Sequence, residues 1–114
     1  MDDLIKEINE FRDERDWRQF HNAKDLALSV SLEASELLEN FQWKTSEEAI
    51  ADDLENIKDE IADVMIYSLM LADDLGLSVE DIIRDKIKKN GQNYPVEKSK
   101  GRKDKYNDLE KKDI

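Results

Sequence analysis

Three glycines and one proline are all the backbone punctuation that 114 residues carry. Every strand reversal needs turn chemistry that a chain so poor in Gly and Pro cannot supply many times over, so long helices are the expected elements. The apolar residues agree. Leu4, Ile5, Ile8 and Phe11 fall on one helical stripe, which predicts a first helix from about Asp3 to Arg15. Asp16 to Asn22 breaks the pattern and holds Trp17, Phe20 and His21. Asn22 then suits the cap of a second helix reaching about Phe41, with Leu26, Ala27, Val30, Ala34, Leu37, Leu38 and Phe41 facing a core. A third helix is expected from about Ala51 to Asp74. Its half from Val64 to Ala72 is apolar nearly all round and should be the buried centre. Gly76 can end it, and Ser78-Val-Glu-Asp81 resembles a start signal for a fourth helix carrying Val79, Ile82, Ile83 and Ile87 inward. Gly91 and Tyr94-Pro95 should stop the fourth, leaving a polar loop beyond. The fold class is all-α: a four-helix bundle over residues 1–95 with a polar C-terminal tail over 96–114.

A chain of this length supports one domain with a modest core, and self-association would add to it. No cysteine is present, which excludes disulfides and thiolate metal sites. The longest apolar run is far below the ~20 residues that cross a bilayer, and the first residues show no signal pattern, so a cytoplasmic protein with no membrane partner is expected. The formal net charge of −11 argues against binding DNA or RNA. Residues 86–105 nevertheless carry eight Lys and Arg against Glu97 and Asp104. An acidic body with a basic segment suits a small polyphosphate held between carboxylate-bound cations and ammonium groups, although a solvated tail would look the same.

Acidic residues three apart could be metal ligands, but 29 Asp and Glu would give about seven such pairs by chance and eight occur, so spacing decides nothing. Position is more informative. Glu33/Glu36 and Glu60/Asp63 each border a core stripe, where an uncompensated carboxylate is costly to desolvate. Two helices each offering two carboxylates can converge on a hard dication such as Mg²⁺, with Mn²⁺ as a substitute. The same groups could instead pair with Lys or Arg, or reach solvent at the stripe edge. A ferritin-like di-iron site would need Glu-x-x-His twice, and His21 is the only histidine.

At Glu33-Ala-Ser-Glu36 followed by Glu60-Ile-Ala-Asp63, the sequence resembles the MazG-type all-α nucleoside triphosphate pyrophosphohydrolases. The likeness is greatest to the short dCTP pyrophosphatase branch, through Glu14-Arg-Asp-Trp17, Phe20-His21, Glu36-Leu-Leu-Glu-Asn-Phe-Gln-Trp43, Asp63-Val-Met-Ile-Tyr67, Tyr94-Pro95 and Lys105-Tyr106-Asn-Asp-Leu109. The resemblance implies hydrolysis of a nucleoside triphosphate, dCTP or a relative, to monophosphate and pyrophosphate in the service of nucleotide-pool cleaning. It implies Glu33, Glu36, Glu60 and Asp63 as the Mg²⁺ ligands and catalytic carboxylates. Trp17, Trp43 and Tyr67 would line the base and sugar pocket, and His21 could contact the base edge. Lys86, Asn90, Lys105 and Arg102 would reach phosphate oxygens. Many relatives carry an arginine shortly before the Tyr-Pro pair, where this chain has Asn93. A homodimer or a tetramer of two dimers is implied, with sites near subunit contacts. The rival reading is a non-catalytic helical module on the same fold that binds a nucleotide or a protein.

Overall fold

The computed structural model describes residues 1–101, and every regular element among them is helical. α1 spans Asp2–Glu14, a 3₁₀ turn spans Arg18–Phe20, α2 spans Ala23–Glu39, α3 Ser46–Asp74, α4 Val79–Asn93 and α5 Val96–Ser99. Asp2 and Asp3 sit in the first turn of α1, where negative charge meets the positive end of the helix dipole. After α1 the chain turns through Asp16, whose φ of 54° lies in the left-handed region. Asn22 caps α2 as expected, its side chain accepting the Asp25 N–H at 2.8 Å.

α3 begins five residues before the expected Ala51. Thr45 accepts the Glu48 N–H at 3.1 Å while Glu48 accepts the Thr45 N–H at 3.3 Å, so the Ser/Thr/Glu stretch is a reciprocal cap rather than a connector. The helix then breaks at Asp53 (φ −153°, ψ 72°), whose carboxylate accepts the Asn56 N–H at 3.0 Å and so caps the longer second piece. The expected start lies beside this internal break.

Gly91 does not stop α4. One helical glycine costs about 1 kcal/mol relative to Ala, which a helix can carry, and the chain leaves the helix only at Tyr94-Pro95. The stretch after Pro95 is not wholly loop either, because Pro95 opens the single turn of α5.

The chain divides into two compact units, Met1–Val79 and the residues from Glu80 onward. In the first, α2 packs along α3 and α1 leans on α3. Ile8, Leu26, Leu69, Met70, Ala72 and Val79 form the buried core, flanked by Ile5, Ile66, Tyr67 and Leu71. One charged side chain joins it: Arg12 is fully buried. Three expectations are corrected here. Of the α4 residues expected to face inward only Val79 is buried, while Ile82, Ile83 and Ile87 are exposed. Of the α2 stripe only Leu26 is buried, and Leu38 is 63% exposed. Within Val64–Ala72 the side chains of Leu69, Met70 and Ala72 are buried while Met65 is 54% exposed. Within Met1–Val79 so few helices cover only one side of each other, and apolar side chains of α2 and α3 such as Leu32, Leu38 and Met65 are exposed.

Candidate functional site

Packing α2 along α3 brings the two carboxylate pairs together. One oxygen from each of Glu33, Glu36 and Glu60 lies within 4.8 Å of the others. Glu33 and Glu60 are half-buried and Glu36 is exposed. The Oε2 atoms of Glu33 and Glu60 are themselves buried with no hydrogen-bond partner. Among the described residues, none of the four expected ligands forms an ion pair with Lys or Arg. Asp63 lies beside this triad rather than in it.

The electrostatics follow from that crowding. Burial pushes Glu33 up to about 7, and the crowding carboxylates of Glu36 and Asp63 push it the same way. Burial, then the charge of Glu36, raises Glu60 as well. Tyr67 is raised by burial and then by the charges of Glu33, Asp63 and Glu36. Clustered acids with buried, unpartnered oxygens lack positive charge, and a hard dication with oxygen preference fits that deficit.

Two clefts adjoin the cluster. A polar one of about 410 Å³ is lined by Glu36 and Glu60 together with Asn40, Lys44, Asp52 and Asn56. Within it Lys44 is paired with Asp52, and Asn56 donates to Asn40 Oδ1 at 2.7 Å. The other, of about 430 Å³, is mainly apolar: Phe11, Trp17, Tyr67 and Met70 form its walls, with Glu7 and Asp63 as its charged members. Phe11 and Trp17 meet edge to face at 5.6 Å between centroids, and the Arg15 guanidinium lies 3.7 Å from the centre of the Phe11 ring.

Trp17 and Tyr67 thus share a cleft with Asp63. Trp43 does not join them: it follows α2 with φ of 62° and is 100% exposed. His21 stands against the buried Arg12, its Nδ1 3.5 Å from Arg12 Nη1, and burial followed by the charge of Arg12 lowers its pKa. A guanidinium only donates, so Nδ1 is the accepting nitrogen of His21. Lys86 and Asn90 lie one turn apart on α4, both exposed, in the second unit. Arg102 and Lys105 fall outside the described residues. Phe11, Met70 and Glu7 were missed by sequence reasoning. The first two read as core residues, and only the proximity of Phe11 to Trp17 along the chain hinted at more.

The MazG-like family model matches residues 28–109. The chain is 35% identical over 114 residues to dCTP pyrophosphatase 1 of Mus musculus, covering 96% of this chain and 67% of the mouse protein. It is 32% identical to dCTP pyrophosphatase 1 of Homo sapiens, with the same coverage of each. A crystal structure of a pyrophosphatase from Archaeoglobus fulgidus superposes with a TM-score of 0.79 at 39% identity, covering 83% of this chain and 92% of the other.

Proposed function

The chain belongs to the MazG-like family and is a nucleoside triphosphate pyrophosphohydrolase; from that premise we propose that it hydrolyses dCTP or a close relative, with Mg²⁺ held by Glu33, Glu36, Glu60 and Asp63. The observation that carries this reading is the pair of buried, unpartnered oxygens on Glu33 and Glu60, which a structural bundle would have no reason to keep. The dCTP pyrophosphatases of mouse and human support cytosine as the base.

Water is added across the anhydride between the α- and β-phosphates: its oxygen joins the phosphorus under attack, and the bond from that phosphorus to the bridging oxygen breaks. The products are a nucleoside monophosphate and pyrophosphate, consistent with a role in clearing the nucleotide pool. A bound Mg²⁺ would supply neutralisation of phosphate oxygens and orientation of the attacking water. The carboxylates fix that position, and one of them accepts the proton that water loses. Trp17 and Tyr67 sandwich or edge the base and sugar in the apolar cleft. Lys86 and Asn90 on α4, with Arg102 and Lys105, are assigned to the phosphate chain.

The working form is a homodimer or a dimer of dimers. In its support, Leu28, Leu32, Leu38, Ile61 and Met65 are all at least 44% exposed in one chain, an apolar extent that a second copy would cover. Trp43, bare in one chain, then completes the pocket of a neighbouring copy.

The test is incubation with Mg²⁺ and a panel of ribo- and deoxyribonucleoside triphosphates, with products separated by ion exchange. Monophosphate plus pyrophosphate, lost on adding EDTA, is the expected result. No product from any nucleotide, in a folded protein that binds Mg²⁺, would leave a non-catalytic binding module.

A further inference from the structure

The apolar cleft holds two charged side chains on different helices, Asp63 on α3 and Glu7 on α1. Asp63 stands one turn from Glu60 and its charge acts on Glu33, so it belongs to the acidic cluster. Glu7 is left over. It is exposed and has no ion-pair partner among the described residues, and it stands at the rim of a cleft whose walls, Asp63 apart, are aromatic and aliphatic.

What such a cleft can recognise follows from its lining. Its volume of about 430 Å³ is of the size that takes a small molecule. Phe11, Trp17 and Tyr67 offer ring surfaces, and stacking on rings is nearly indifferent to which base is stacked. Selectivity therefore has to come from a polar group at the edge of the base. An ionised carboxylate only accepts hydrogen bonds. Cytosine presents an amino group at C4, a donor, where uracil and thymine present a carbonyl oxygen, an acceptor. Against a carboxylate the amino group makes a hydrogen bond, whereas the carbonyl sets two acceptors against each other and gains none.

We propose that Glu7 reads the edge of the base, accepting a hydrogen bond from the C4 amino group and so favouring cytosine nucleotides over uracil and thymine nucleotides. This deepens the function proposed above and rests on its placing of the base in the apolar cleft. The assignment concerns the choice among pyrimidines, because the amino group of adenine would satisfy the same carboxylate.

The experiment compares kcat/KM for dCTP, dUTP and dTTP in the unaltered protein, in Glu7→Gln and in Glu10→Gln, a charge removal on the same helix but outside the cleft. A glutamine amide can turn to donate or to accept. Glu7→Gln is therefore expected to lower the preference for dCTP over dUTP by about tenfold or more. The change should lie mostly in KM, with kcat for dCTP little altered, since the base edge is remote from the phosphorus under attack. Glu10→Gln should leave the preference where it was. An unaltered preference in Glu7→Gln, an equal fall for all three nucleotides, or no preference in the starting protein would each overturn the proposal. If nothing is hydrolysed, the reaction reading fails separately. The affinities for dCTP and dUTP measured by calorimetry with Mg²⁺ then decide on Glu7, equal affinities counting against it.

Discussion

Arg12 grips Asp74 with two prongs, Nη2 to Oδ1 at 2.5 Å and Nη1 to Oδ2 at 3.0 Å, yet the two residues are not equally enclosed: the arginine side chain is wholly buried and the aspartate 26% exposed. Arg12 Nε also donates to Asn9 Oδ1 at 2.9 Å, and Asn9 Nδ2 donates to Asp73 Oδ2 at 2.9 Å, so the end of α1 is tied to the end of α3 by a connected, part-buried polar set at the edge of the core.

The unequal burial predicts unequal costs. Asp74→Ala leaves a buried guanidinium without its carboxylate and should destabilise the protein by about 3–5 kcal/mol. Arg12→Met fills the same space and leaves an aspartate that water can reach and a part-buried Asn9 Oδ1 without its donor, so its loss should be smaller, about 1–2 kcal/mol. Urea unfolding of the two variants checks the order.

Stability should also depend on pH through Glu33. Its carboxyl titrates near 7 in the folded protein against 4.5 as the ordinary value. The folded state thus keeps a proton that the unfolded chain has lost, and the resulting advantage is full below the ordinary value and gone once pH has risen through about 7. In metal-free buffer the melting temperature should fall between pH 5 and pH 8 by more in the unaltered protein than in Glu33→Gln. Added Mg²⁺ should raise it more at pH 8 than at pH 5, because the cation competes with the proton.

The carboxylates should show a trade between activity and stability. Glu36→Ala and Asp63→Ala are expected to lower kcat at least 100-fold, with helical circular dichroism unchanged. Glu60→Gln should lose activity likewise but raise the metal-free melting temperature, since it removes one like charge from the crowd. Full activity in Glu60→Ala would count against the site.

Self-association should be sensitive to the open face of α2. Leu32 is 63% exposed in one chain, and in a monomer Leu32→Glu would change stability by no more than about 0.5 kcal/mol. If that face is covered by another copy, Leu32→Glu shifts sedimentation toward smaller species and lowers the melting temperature.

The helices were legible in the sequence where a cap or a period marked them. Asn22 caps α2 at the expected place, and Ile8 and Leu69 meet in the core. The errors lie where one residue type serves two purposes. Thr45 and Glu48 read as loop although Thr45-Ser-Glu-Glu48 carries a start signal, because the apolar period resumes only beyond it. Gly91 read as a stop because nothing in the sequence shows what a helix will tolerate. For the site, Glu33, Glu36 and Glu60 were separable from the other acidic residues by their place at stripe edges and by the family signature they resemble, and the structure brings those three together. Glu7 was not separable. It sits in a run of acids on α1, and that it lines the cleft depends on how α1 lies against α3, which no local pattern encodes.

The break at Asp53 has a bearing on how such a chain can change over time. In an unbroken helix one inserted residue turns everything beyond it by about 100°. Here the backbone leaves the helix at Asp53 and is capped afresh before Asn56. Insertions or deletions between Gln42 and Asp52 would be absorbed at that joint, so the lip of the polar cleft can be rebuilt in length and composition while Glu60 and Asp63 keep their facing toward α2.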